Sequence, residues 1–213
     1  MEALSTGKIA VNENGVVVTV DYGVPAEHQE ALSGTSLWTD PASKPLDDIY
    51  DMVDKIVADT GTTPTRALTS RSVLNALLRH ASIRKAIHGV NSDKIVTITD
   101  LNTLLKAMEL PVIATYDERV RVQNKDGKYT TKRYFPEDKF VVFPDEMLGE
   151  TIYGLTAEEI ELGSDSSVDM NAIGNILAMI YRTKDPVARW TKAVATALPS
   201  FPVADEIFIA KVK

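Results

Sequence analysis

The sequence contains no cysteine, which excludes disulfides, thiolate metal sites and cysteine nucleophiles and accords with a reducing cytoplasm. It has no run of about 18 or more consecutive apolar residues, so no membrane span is expected. The opening stretch MEALSTGKIAVNENG lacks the basic and apolar regions of a secretory signal. Positive charge is in the minority: 23 Lys and Arg against 30 Asp and Glu leave a net charge of −7. Such a surface repels phosphate backbones, which argues against nucleic-acid binding as the main task. Arg79, Arg84 and Lys85 come nearest to a basic patch, but with Asp93 and Asp100 close behind they read as a solvated helix face. What is present is ordinary for a globular protein: 213 residues, 44% hydrophobic and 25% charged, enough for one large domain or a domain plus a smaller lobe.

Periodicity assigns most of the chain. Lys8 to Val11 and Val16 to Tyr22 are β-rich runs around NENG, a hairpin signal. Asp21 to Pro41 has no clean period, and a stretch of that length is either functional or ordered by lying across neighbouring structure. Pro45 opens a helix whose apolar face is Leu46, Ile49, Val53, Ile56 and Val57, with Gly61 as its C-terminal cap. Arg66 to Ser70 reads as a short buried strand, and Ser70 caps a helix with core face Val73, Leu74, Leu77 and Leu78. Ser82 is expected to cap the next short helix, which Gly89 closes. After Ile95 to Ile98, Asp100 is expected to start a helix with face Leu101, Leu104, Leu105 and Met108. VIATY then reads as a strand.

VRVQNKDGKYTTKRYF is the clearest hairpin, with Asp126-Gly127 at its turn. Phe140 to Phe143 gives another strand, and Thr156 with Glu159 forms a capping-box signature. NILAMIYRT is ambiguous between strand and helix. Pro186, Pro199 and Pro202 break the last part of the chain into pieces, and EIFIAKVK reads as an alternating closing strand. Helices alternating with strands in the middle and hairpins at both ends imply an α+β fold.

Catalytic chemistry finds little support in these residues. Asp21, Glu27, His28 and Ser36 supply acid, base and nucleophile types, and a hydrolase using His28 with Asp21 or Ser36 is the enzymatic alternative. A triad is defined by geometry, however, and no G-x-S-x-G elbow is present, so turn and cap roles fit these residues better. His80 and His88 lack metal-ligand spacing, and His88 before Gly89 suits a helix C-terminus. Glycines occur singly, without a phosphate-loop frame. GSDSSVD (163–169) lacks the frame of a calcium loop and reads as a polar surface turn. No cofactor and no metal is expected. A ligand-binding domain reusing the sheet is a third possibility, and it would require a preformed apolar pocket. Trp38, among small neighbours, is expected to pack against a separate element or subunit, whereas Trp190 reads as ordinary core.

Longer stretches carry a resemblance. VDYGVPAEHQEALSGTSLWTDP, PTRALTSRSVLNALL, IRKAI, LNTLL, LPVIATYDE, KRYFPEDKFVVFP, LGETIYGLTAE, DPVARWTKAVATALPSFP and DEIFIAKVK, in that order, resemble the phage major capsid protein E family across nearly the whole chain. The resemblance implies an α+β, HK97-like capsid fold: an axial domain with a mixed sheet flanked by helices, plus part of a peripheral domain. It implies a structural subunit without catalysis, closing with other copies as pentamers and hexamers around double-stranded DNA. Residues 46–186 would be the axial domain, 1–45 partial peripheral strands and a linking loop, and 187–213 the return to the peripheral domain. Leu37, Trp38, Tyr134 and Phe135 are the candidate packing or intersubunit contacts. Scaffolding and decoration proteins are the further partners, with neither membrane nor sequence-specific nucleic acid among them. The virion head, and the host cytoplasm during assembly, are the implied locations. Family members carry an N-terminal arm, an E-loop and a spine helix before the stretch resembling EALSTGKIAV. The chain thus resembles the family's C-terminal portion, as an engineered piece, a truncated prophage gene or a processed product. With those elements absent, disorder or an altered path is expected in the linking loop.

Overall fold

The computed structural model describes residues 1–13, 16–90, 93–124, 126–163 and 168–213. Contacts divide the chain into two units, Met1–Leu148 with Pro202–Lys213, and Gly149–Phe201. One sheet draws strands from all three of the segments 1–45, 46–186 and 187–213 into the first unit.

That sheet belongs to the first unit. In chain order its strands are β3 (Gln29–Ala31), β4 (Arg66–Thr69), β5 (Val112–Thr115), β8 (Lys139–Phe143) and β14 (Phe208–Lys211), arranged in space as β3-β14-β8-β4-β5. β14 runs parallel to β3 and antiparallel to β8; β4 runs antiparallel to β8 and parallel to β5. The sheet is therefore mixed, and the α+β expectation holds. β14 is a central strand. Ile207, Phe208, Ile209 and Ala210 are all buried, so the closing strand does not alternate as expected; both of its faces are covered.

Four helices pack over one face: α2 (Pro45–Thr60), α3 (Arg71–Arg79), α4 (Ala81–His88) and α5 (Ile98–Ala107). Their apolar residues share a core with Ala67, Ile113, Phe140, Val142, Phe208 and Ala210. α1 (Glu2–Thr6), with buried Ala3 and Leu4, packs against β8 and β14. Of the face read for α2, Ile49, Val53 and Ile56 are buried and Leu46 is partly so, but Val57 is exposed and Met52 takes its place in the core. Pro45 sits in the first turn and Gly61 closes α2 with φ 75°, a left-handed conformation that favours glycine.

Ser70 caps α3 as read: its Oγ accepts from Val73 N at 3.2 Å and donates to Glu137 O at 2.6 Å. The cap of α4 is a correction. His80 occupies it, with Nδ1 accepting from Ser82 N, because α3 ends directly against α4 and leaves the imidazole at the corner. Nor does Asp100 start α5. Thr97 is the cap and Asp100 completes its capping box three residues on. At one sheet edge the Asn102 amide pairs with both backbone groups of Ile113 in β5, at 3.0 and 3.1 Å, and so blunts that edge.

Two hairpins complete this unit: β1 (Lys8–Glu13) with β2 (Val16–Asp21), and β6 (Arg119–Gln123) with β7 (Tyr129–Arg133). The second unit has β9 (Thr151–Gly154) paired with β13 (Thr196–Pro199), and the meander β10 (Asp169–Ile173), β11 (Ile176–Lys184) and β12 (Val187–Val194). NILAMIYRT resolves as strand β11. α6 (Ala157–Leu162) is capped by Thr156, whose Oγ1 accepts from Glu159 N at 3.1 Å. Most of the GSDSSVD turn lies outside the described residues. Among the described residues, no helix is long and apolar enough to cross a membrane.

Candidate functional site

The segment from Asp21 to Pro41 is ordered by the sheet it crosses. Two short 3-10 turns, Ala26–His28 and Gly34–Ser36, flank β3. Leu32 N donates to Lys211 O, and Trp38 N to Val212 O, both at 2.9 Å. These bonds bind the segment along β14.

Its histidine is committed elsewhere than the enzymatic alternative requires. His28 is fully buried, with Nε2 2.9 Å from Asp59 Oδ2 and its ring stacked near Phe208 at 6.0 Å. Asp21 instead pairs with Lys8 at 2.8 Å and accepts from Gly23 N, and Ser36 is exposed in its turn. The Lys8 bond holds the Asp21 carboxyl below its usual range. A hydrolase built from His28 with Asp21 or Ser36 is therefore corrected: the three are not assembled. Glu27 is exposed as well. His80 is structural too. Its Nε2 lies 3.0 Å from Asp40 O and 3.1 Å from Ser43 Oγ, and Nδ1 lies 2.6 Å from Ser82 Oγ. His88 sits in the last turn of α4, as its position before Gly89 suggests. No group of three metal-ligating side chains occurs among the described residues.

The aromatic candidates separate by depth. Trp38 is 1% exposed; its indole meets Phe140 edge-on at 4.8 Å and its Nε1 donates to Asp48 Oδ2 at 2.7 Å. Burial pushes the Asp48 carboxyl up, the Trp38 bond pulls it down, and Asp51 and Asp47 nearby push it up again. An open depression of about 320 Å³ lies beside Trp38, Pro41, Ala76 and His80. Phe135 is buried, Leu37 half-buried, and Tyr134 48% exposed beside α1 and Pro136.

The second unit buries few side chains. Thr156, Leu177 and Met179 are its buried residues among those described. Ile152, Leu155, Ile160, Ile173, Val187 and Trp190 are all more than half exposed, Val187 at 90%. Trp190 at 53% is thus not core: it lies on the edge strand of a three-stranded sheet, opposite Tyr181. The short helix α6 is tied to the same strand through the Glu158–Lys192 ion pair, which holds Glu158 below its usual range. That Trp190 is exposed was not readable from VARWTKAV, because whether a strand's apolar face is covered depends on what packs against the sheet.

Among the described residues, what remains as a candidate site is a set of surfaces. A family model described as phage major capsid protein E matches residues 1–212. The major capsid protein of Pseudomonas phage JBD67 is 28% identical over 170 residues, which are 78% of this chain and 50% of that protein. The chain thus spans about half the length of the curated relative it matches. Among solved structures, a candidate capsid protein of a prophage of E. coli CFT073 matches with a TM-score of 0.64 at 15% identity, over all of this chain and 60% of that one. A phage-related protein of Bordetella bronchiseptica RB50 matches with a TM-score of 0.53 at 18% identity, over 88% of this chain and 57% of that one. At such identities the two structures establish a shared fold. The match along 1–212 establishes the rest: the chain belongs to the phage major capsid protein E family.

Proposed function

We propose that the chain is part of the major capsid subunit of a tailed phage or prophage: an HK97-like structural protein, without catalysis, that joins other copies as pentamers and hexamers in an icosahedral shell around double-stranded DNA. The family match along residues 1–212 carries this reading. The apolar side chains left open on the second unit support it. Single exposed apolar residues are normal, but many within one small unit suit a surface that neighbouring subunits cover. In this reading the helices and the mixed sheet, β3 and β14 included, are chiefly axial, and the rest of residues 1–45 and 187–213 belongs to the peripheral part. Leu37 and Tyr134 stand where other copies reach them, while Trp38 and Phe135 hold those positions from inside. Scaffolding and decoration proteins are further partners, the virion head is the final location, and the host cytoplasm is the site of assembly.

Expression of the complete coding region around this sequence, followed by electron microscopy, tests the proposal. Closed shells or capsomer rings are expected. A monodisperse monomer under every assembly condition would refute it. The 213-residue chain alone is expected to scatter light as a monomer or weak oligomer.

A further inference from the structure

The charge of the chain is unevenly distributed, and its densest basic stretch is residues 119–133 and not Arg79, Arg84 and Lys85. Residues 119–133 carry six basic side chains (Arg119, Arg121, Lys125, Lys128, Lys132, Arg133) and one acid, Asp126, within a chain whose balance is −7. Strands β6 and β7 of this stretch hydrogen bond as a two-stranded sheet apart from the five-stranded one. Cross-strand partners share a face, and Arg119 lies opposite Arg133, Arg121 opposite Thr131, and Gln123 opposite Tyr129. One face therefore presents three arginines and a tyrosine. Like charges placed opposite each other cost stability. Asp117 pairs with Arg133 and offsets part of that, while the Arg121 guanidinium lies over the Tyr129 ring at 4.8 Å. Arg119 and Arg121 remain exposed with no ion pair among the described residues, and Tyr129 is 59% exposed. An isolated two-stranded hairpin is marginal in water.

The complement is on the same chain. The outer side of α2 carries Asp47, Asp51 and Asp54, all exposed, around Tyr50 and Val57, which are 36% and 37% exposed. Lys44 pairs with Asp47, and Lys55 is the other cation there. Acids three and four apart on a helix lie about 5–6 Å from one another. Arginines two apart on a strand lie about 6.8 Å from one another, so the two rows are similar in spacing and opposite in sign. The α2 face sets Tyr50 and Val57 among its acids and the hairpin face sets Tyr129 against Arg121, and Arg and Tyr are enriched at protein interfaces.

We propose that the Arg119/Arg121/Tyr129 face of the β6–β7 hairpin docks on the Asp51/Asp54 face of α2 of a second copy, a head-to-tail contact that rests on the capsid reading and gives it a specific surface. Because donor and acceptor faces differ, the contact repeats from copy to copy and closes into a ring if the rotation permits. Duplex DNA is the less favoured occupant, because the acidic balance of the chain repels phosphates.

Charge exchange tests this in the 213-residue chain by sedimentation velocity across a salt series, with circular dichroism as the check on folding. Wild type is expected to self-associate weakly and to dissociate as salt rises. Arg119→Glu with Arg121→Glu, and separately Asp51→Arg with Asp54→Arg, are each expected to weaken association at least about tenfold. An equimolar mixture of the two variants should recover it, since each then offers the charge the other lacks. The cysteine-free background supplies a second measurement: copies with Thr131→Cys, mixed with copies carrying Val57→Cys, should cross-link to each other through a short bis-maleimide. No wild-type association, reversals without effect, no recovery in the mixture, or cross-links only between like copies would overturn the contact. DNA binding abolished by the arginine reversal, without self-association, would overturn it in favour of nucleic acid. None of these outcomes touches shell formation by the complete coding region, so the two proposals fail separately.

Discussion

At Trp38 the apolar ring and the polar N–H are satisfied by different elements, the ring by Phe140 of β8 and the N–H by Asp48 of α2. Trp38→Ala removes both and should cost about 3–5 kcal/mol in chemical denaturation. Asp48→Asn keeps an acceptor oxygen for the indole and removes a charge that the fold disfavours. Asp48 binds its proton more readily folded than unfolded, so its stabilising contribution is full in acid and is lost as pH rises through the raised value. The asparagine variant should therefore be more stable than wild type at neutral pH, with the gap closing in mild acid. At His28, Asp59 is partly exposed and can rehydrate, so His28→Phe should stay within about 1 kcal/mol of wild type. His28→Ala opens a hole beside Phe208 and should cost about 2–4 kcal/mol. The segment that carries both residues looked reactive in sequence because it concentrates polar types without a period. Its real order comes from backbone bonds to Lys211 and Val212, long-range partners that no local pattern reveals.

Among elements, the capped helices were the most readable. Pro45, the spacing of Ile49, Val53 and Ile56, and Gly61 defined α2, and Ser70 defined the start of α3. Where tertiary context chose the cap, reading failed: His80 took the corner that Ser82 was expected to hold, and Thr97 started α5 ahead of Asp100. The Thr97 cap is worth about 1 kcal/mol, so Thr97→Ala should lower the denaturation midpoint accordingly. β14 was misread for a related reason. Alternation marks a strand with one wet face, and β14 has none, since Phe208, Ile209 and Ala210 are all buried. Hydrogen exchange should grade the strands in the same way, with β14 and β8 protected longest and the β6–β7 hairpin exchanging early.

Over the whole molecule, each unit contains one tryptophan, Trp38 in the first and Trp190 in the second, and they differ in exposure from 1% to 53%. Trp38→Phe and Trp190→Phe variants thus report the units separately. Acrylamide should quench Trp190 strongly and Trp38 weakly. With so few buried side chains, the second unit should lose structure at lower urea than the first, giving two transitions where one cooperative domain would give one. The division itself was not legible: no linker composition marks Leu148, and the prolines around Pro202 read only as breaks between pieces; the boundaries follow from which strands share a sheet.

The place of β14 between β3 and β8 also sets a timetable for biosynthesis. A ribosome makes Gln29–Ala31 early and Lys139–Phe143 much later, yet the strand that joins them, Phe208–Lys211, emerges only after the entire second unit has been translated. Until then β8 keeps an unpaired edge and β3 has no partner strand, and each can accept a strand from a neighbour on the same message. Synthesis of Phe208–Lys211, more than collapse of the earlier helices, is then the event that commits the sheet to its native order.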